Sequence, residues 1–189
     1  MEYSQIKRDA KQAMDKAVQH TLHEFANIHT GKATPSMIEN INVYVESYGA
    51  NMELRELAAI TTPDSRSLQV QPWDRNTTGP IDKAIRASGL GLNPVDRGGG
   101  VIIVPVPELS GDRRKELAKV ASNYAEDGRI AVRQARHTAM DSLKTLKKEG
   151  HVSEDDIKRH EKEIQDMADQ HITQINEALE AKEKELTTV

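Results

Sequence analysis

Five basic residues, Arg129, Arg133, Arg136, Lys144 and Lys147, are spaced to do chemistry together in this 189-residue sequence. An α-helix turns about 100° per residue. At that pitch all five fall within roughly one quadrant of the circumference. Guanidinium groups make planar, bidentate hydrogen bonds to phosphate, and ammonium groups offer a point charge to the same anion. A row of this kind is an edge suited to an anionic partner that presents phosphates. It has a plain alternative, because basic rows on long helices are commonly solvated faces in which each cation pairs with a neighbouring acid.

The element that must position the row is a long helical pattern from Ser110, its expected N-cap, to Glu149. Leu117, Val120, Tyr124, Ala131, Ala135, Ala139, Leu143 and Leu146 recur at the three-and-four spacing of a packed face. Gly128 lies in the middle, at a cost of about 1 kcal/mol relative to Ala. Two further helices are predicted. Ser4–Ile28 carries Ile6, Ala10, Met14, Ala17, Leu22, Phe25 and Ile28 on one stripe, with Ser4 as cap. The other starts at Ser153-Glu-Asp-Asp156, with acid in its first turn to complement the dipole. Its stripe is Ile157, Ile164, Ala168, His171, Ile175, Leu179 and Leu186. His171 reads as a hydrogen-bonded core or edge histidine, and His160 lies on the same acidic helix, apart from the basic row. Three stripes that must be buried imply an antiparallel three-helix bundle.

The middle third reads differently. Ile41–Glu46 and Ser67–Gln71 alternate apolar and polar as strands do, and a short strand is expected near Ala58–Thr61. Pro80–Ser88 is a short helix with Pro80 in its first turn and Gly89 beyond its end. Val101–Val104 is an apolar strand preceded by the Gly98-Gly99-Gly100 turn. The fold class is therefore α+β. Residues 1–30 and 106–189 form a discontinuous three-helix bundle, and residues 31–105 form an inserted β/α/β domain. The linkers, around Thr30, Gly31 and Lys32 going out and Pro105, Val106 and Pro107 coming back, form a hinge. The two ends of an inserted domain lie close together.

Composition narrows the function classes. Charged residues make up 30% and aromatics 3%, and there is no cysteine for a disulfide or a thiolate metal site. No apolar run reaches the length of a membrane span, and a soluble, cytoplasmic monomer is expected. The net charge of −4 excludes a globally basic nucleic-acid binder. The charge is unevenly placed, however. Residues 110–149 hold ten Lys+Arg against six Asp+Glu, a net of +4, while 153–189 hold five against eleven, a net of −6. His20 and His23 lack the further ligands that a metal site needs. The glycine pairs lack the strand-to-helix setting of a dinucleotide loop. No catalytic constellation, metal or cofactor is expected, and the chain is not read as an enzyme.

Several blocks, in order, resemble the bacterial ribosome recycling factor family. Thr30-Gly31-Lys32-Ala33-Thr34-Pro35 is similar to its threonine-glycine-arginine-alanine-serine/threonine-proline loop. Tyr48-Gly49 with Leu54-x-x-Leu57-Ala58, Ala84-Ile85 with Ser88-x-Leu90-Gly91-Leu92-Asn93-Pro94, and Pro107-x-Leu109-Ser110 with Arg113-Arg114-Lys115-Glu116-Leu117 follow. Val132-Arg133-x-x-Arg136 resembles the arginine motif of the second long helix. The resemblance runs nearly end to end.

It implies an L-shaped three-helix bundle with a hinged inserted domain. It also implies a non-enzymatic factor that binds the ribosome after termination and, with elongation factor G and GTP, splits it into subunits, releasing mRNA and tRNA. The bundle would contact large-subunit ribosomal RNA and the inserted domain the GTPase. Four positions where the family carries arginine differ here: His29, Lys32, Ile103 and His137. Arg-to-Lys exchange loses bidentate geometry, and histidine carries little charge at pH 7. Two alternatives stand beside recycling: a diverged paralogue acting in ribosome hibernation or quality control, and a helical protein-binding scaffold that would ignore ribosomes.

Overall fold

The computed structural model describes residues 2–188. The chain divides into two compact units, Met1–Thr30 with Gly111–Val189, and Gly31–Ser110.

The first unit holds three long helices: α1 (Tyr3–Ala26), α4 (Gly111–Glu149) and α5 (Glu154–Thr187), each packed on both others. Tyr3 meets Glu163, Asp15 meets His171, and Thr21 and Ile175 both lie against Gly128. Those contacts make α1 and α5 parallel, and Arg114, Arg129 and Arg136 of α4 meet Leu186, Asn176 and Gln165 of α5 in reverse order, so α4 runs against both. Ser153 Oγ accepts the Asp156 N–H at 3.1 Å, and Glu154, Asp155 and Asp156 fill the first turn of α5, as its sequence predicts. Helix α1 starts differently. Glu2 is its N-cap residue without a side-chain capping bond to the backbone, and Ser4 is already helical.

The packed stripes follow the expected period with local corrections. On α1 the buried residues after Met14 are Val18, Thr21 and Phe25, while Ala17 is half-buried and Leu22 exposed. On α4 the buried row is Leu117, Ala121, Ala125, Gly128, Val132, Ala139, Leu143 and Leu146. Val120 and Ala131 are exposed, and Tyr124 and Ala135 half-buried. The α5 stripe is buried as expected except at Leu179, which is half-buried. The mid-helix glycine has a steric reason. A Cβ at 128 would overlap Thr21 Oγ1 and meet Ile175 Cδ1 at 3.1 Å. The missing side chain is what lets three helices converge there.

The second unit has a two-stranded antiparallel sheet, β1 (Asn42–Val45) with β2 (Ala50–Glu53), and a helical turn α2 (Leu54–Leu57). A four-stranded antiparallel sheet follows in the order β3-β4-β6-β5, from β3 (Ala58–Asp64), β4 (Ser67–Pro72), β5 (Val95–Asp96) and β6 (Ile102–Pro105). Helix α3 (Thr78–Ala87) buries Ile81 and Ile85 into a core that includes Ile38, Val43, Leu68, Val70, Ile102 and Val104. Strands β2 and β5 have no counterpart in the sequence reading. Ala50-Asn51-Met52-Glu53 has no β-branched residue, and it becomes a strand because the turn at Gly49 (φ +62°) returns it onto β1.

The return boundary falls after Ser110 instead of after Pro105. Pro105 is the last residue of β6, opposite Ser67, and the Val106 N–H donates to the Arg66 carbonyl at 2.7 Å. Val106 itself is buried in the sheet core. Pro105 and Val106 are therefore sheet residues, not linker. Leu109 packs on Gly31, with its Cγ 3.5 Å from where a Cβ would stand, so the entering and leaving strands of this unit touch.

Candidate nucleic-acid interface

Helix α4 brings the five basic residues onto one side, next to α5. Each has a polar partner. The Arg129 Nε donates to Glu126 Oε2 at 2.8 Å, and its Nη1 crosses to Asn176 Oδ1 on α5 at 2.8 Å. Arg133 Nη1 donates to the other oxygen of Glu126 at 3.1 Å. Arg136 Nη1 reaches Gln165 Oε1 at 3.3 Å, Lys144 reaches Asp141 at 3.1 Å, and Lys147 reaches Glu154 at 3.2 Å.

Exposure separates their roles. The side chain of Arg129 is 18% exposed and wedged against α5, whereas that of Arg133 is 47% exposed. Lys144 and Lys147 project further still. Exposed ion pairs contribute about 0–1 kcal/mol, so Arg133, Lys144 and Lys147 can exchange a carboxylate for a phosphate at small cost. Arg129 would have to leave two bonds and its packing.

Two of the neighbouring carboxylates are held in the ionised form. Hydrogen bonds from Arg129 and then Arg133 hold Glu126 below the usual glutamate range, and Lys144, followed by His137, does the same for Asp141. His137 Nε2 lies 3.2 Å from Asp141 Oδ2. Sequence reasoning missed the α5 partners Asn176 and Gln165, and the bridging role of Glu126. No periodic signal marks a lone amide on an acidic helix.

Other candidates resolve as structural. His171 is buried, with Nδ1 2.6 Å from the Met167 carbonyl and Nε2 2.7 Å from Asp15 Oδ1. His160 is not an indifferent surface residue. Its ring stacks on Tyr3 with centroids 3.4 Å apart and planes 18° off parallel. His20 pairs loosely with Glu24, and the described residues contain no group of three or more His, Cys, Asp or Glu placed to hold a metal. Gly98-Gly99-Gly100 is a turn leading into β6, closed by the Val101 N–H on the Gly98 carbonyl. His29 and Lys32 are exposed, and Ile103 is half-buried within β6. Among the described residues no helix is long and apolar enough to cross a membrane.

Comparison with known proteins gives a consistent set of likenesses. A family profile described as Ribosome recycling factor matches residues 21–187. The chain is 46% identical over 180 residues to a ribosome-recycling factor of Rhizorhabdus wittichii, covering 95% of this chain and 96% of that one. It is 41% identical over 185 residues to that of Halothermothrix orenii, covering 98% of each. Its structure is similar to a solution structure of the ribosome recycling factor, with a TM-score of 0.75 at 35% identity, covering 100% of this chain and 99% of the other. It is also similar, with a TM-score of 0.65 and 39% identity over the full length of both chains, to a chain from models for the T. thermophilus ribosome recycling factor and the E. coli elongation factor G bound to the E. coli post-termination complex.

Proposed function

The chain belongs to the ribosome recycling factor family, and from that premise we propose how its two units divide the work of recycling. The protein is a non-enzymatic translation factor. It binds the post-termination ribosome and, with elongation factor G and GTP, splits it into subunits, so that mRNA and tRNA are released for another round of translation. The observation that carries this is the full-length likeness, at 39% identity, to a chain placed with the GTPase on a post-termination complex.

The bundle anchors on large-subunit ribosomal RNA through the basic side of α4, with Arg133, Arg136, Lys144 and Lys147 meeting phosphates and Arg129 behind them. The exposed position of Arg133 supports this reading. The inserted unit takes the push of the GTPase. Trp73, 70% exposed, with exposed Tyr44 and Tyr48, supports a protein-facing surface there, since aromatic residues are enriched where proteins meet. The unit swings on Thr30, Gly31 and Lys32 and on the segment from Pro107 to Ser110. Its return pivot lies beyond Val106 because that residue is fixed in the sheet. The protein works as a monomer in the cytoplasm, where its ribosomes are. Chemistry is left to the partner; this chain supplies anchoring and leverage.

Co-sedimentation with 70S ribosomes over a salt series, followed by polysome splitting with the cognate GTPase, tests the reading. Binding that falls with salt, together with GTP-dependent splitting, is expected. A chain that ignores ribosomes at low salt is a scaffold. One that binds and never splits them acts in hibernation or quality control instead.

A further inference from the structure

Arg133 is held from behind. Asn176 Oδ1 on α5 accepts from Arg129 Nη1 at 2.8 Å, Arg129 Nε donates to Glu126 Oε2 at 2.8 Å, and Glu126 Oε1 accepts from Arg133 Nη1 at 3.1 Å. These bonds form one continuous chain from the third helix to the exposed edge of α4. Its inner members are poorly placed for RNA: Arg129 is largely covered and uses donors on both sides, and both oxygens of Glu126 are committed. The outer member is well placed. A guanidinium has five N–H donors; Arg133 gives one to Glu126, and its side chain is about half exposed.

We propose that Asn176, Arg129 and Glu126 form a positioning relay that fixes the Arg133 guanidinium for contact with an RNA phosphate, with Arg133 as the contacting residue and Arg129 as its support. This rests on the reading of α4 as the RNA-facing helix. A free arginine loses rotamer freedom on docking, and a pre-organised fork loses less per bond formed. The relay therefore gives Asn176, an uncharged residue on the acidic helix, a part in ribosome affinity.

Salt dependence separates contact from positioning. Each phosphate neutralised adds roughly 0.7–0.9 to the magnitude of the log-affinity against log-salt slope. The experiment measures ribosome binding across salt for the full-length parent, Arg133→Ala, Arg129→Ala, Arg129→Lys, Asn176→Ala, and the Arg133→Ala/Asn176→Ala double variant. Arg133→Ala should reduce the slope by that amount. Asn176→Ala should weaken binding by roughly threefold to tenfold at fixed salt and leave the slope unchanged. Arg129→Lys, which keeps the charge and loses the two-way bond, should behave like Asn176→Ala. The double variant should bind like Arg133→Ala alone, because the relay acts only through Arg133; a general loss of helix packing would weaken both backgrounds equally. Additive losses, or an Asn176→Ala variant that binds like the parent, overturn the relay and leave the RNA reading standing. So does an Arg129→Ala variant that lowers the slope as much as Arg133→Ala. If Arg133→Ala matches the parent at every salt concentration, the RNA reading fails and the relay falls with it.

Discussion

Thr21 of α1 stands where the side chain of residue 128 on α4 would have to go. A Cβ added to Gly128 would overlap Thr21 Oγ1, whose hydroxyl is turned back to donate to the Ala17 carbonyl at 2.9 Å. Helix propensity alone predicts that Gly128→Ala gains about 1 kcal/mol. The packing predicts the opposite sign, a loss of about 1–3 kcal/mol from overfilling a tight site. Denaturant unfolding of Gly128→Ala decides between them. Adding Thr21→Ala should recover part of the loss, because it removes the nearest obstructing atom.

Arg133→Ala should fold like the parent. Its exposed bond to Glu126 is of the kind whose removal changes stability by about 0.5 kcal/mol or less. A matched control is Lys162→Ala on α5, an exposed cation with no side-chain partner among the described residues. It removes the same charge from a different helix and should leave the salt slope of ribosome binding unchanged. An Arg133→Ala variant that melts well below the parent would make Arg133 a structural residue.

His160→Ala should destabilise the bundle by about 0.5–1.5 kcal/mol through loss of its stack on Tyr3. His160→Phe, which keeps an aromatic face, should retain most of the parent's melting temperature. Equal losses from both variants would show that the stack contributes little.

Acid should weaken the α1–α5 contact. Hydrogen bonds from Lys11 and then His171 lower the Asp15 pKa, and those from Tyr3 and then Lys7 lower that of Glu163. A carboxylate with a depressed folded-state pKa contributes stability above its unfolded value, near about 4. That contribution is lost as pH falls through the folded value. Melting temperature should therefore drop below about pH 4, and the drop should be shallower for Asp15→Asn with Glu163→Gln. Both side chains are partly exposed, so solvent screening keeps the effect modest. Burial first, then the bond to Glu163, raises the Tyr3 pKa. Its contribution is complete below about pH 10 and fades as the phenol ionises above that.

Removing residues 31–110 and joining Thr30 to Gly111 through a short glycine linker should leave a cooperative, helical bundle. Leu109 N lies 3.9 Å from the Cβ position at Gly31, so the strands at the cut are already close. Circular dichroism with thermal melting is the check; an unfolded product would mean that the bundle depends on the inserted unit.

The bundle was legible because three stripes leave few ways to be buried. Individual positions were not. Alanine is ambiguous between faces, and small errors of phase accumulate over a 39-residue helix, so the spacing selects Ala131 where Val132 is the buried residue. Gly128 carried no hydrophobic signal although it is among the most tightly packed points of the molecule. The basic row was visible from charge and spacing, but its division into the covered Arg129 and the exposed Arg133 depends on Asn176, which only the packing of α5 brings near. Likewise Val106 looked like linker between two prolines until its N–H found the Arg66 carbonyl.

The split placement of the bundle also sets an order of events during synthesis. Helix α1 leaves the ribosome before its partners, with Ile6, Met14 and Phe25 uncovered, because the surfaces that cover them lie on α4 and α5, which are made only after the inserted unit. The unit from Gly31 to Ser110 contains its own core and can collapse while α4 is still being translated. The nascent protein thus carries an unpaired amphipathic helix until α4 and α5 have emerged, and that helix is its point of exposure to chaperones and to aggregation in the interval.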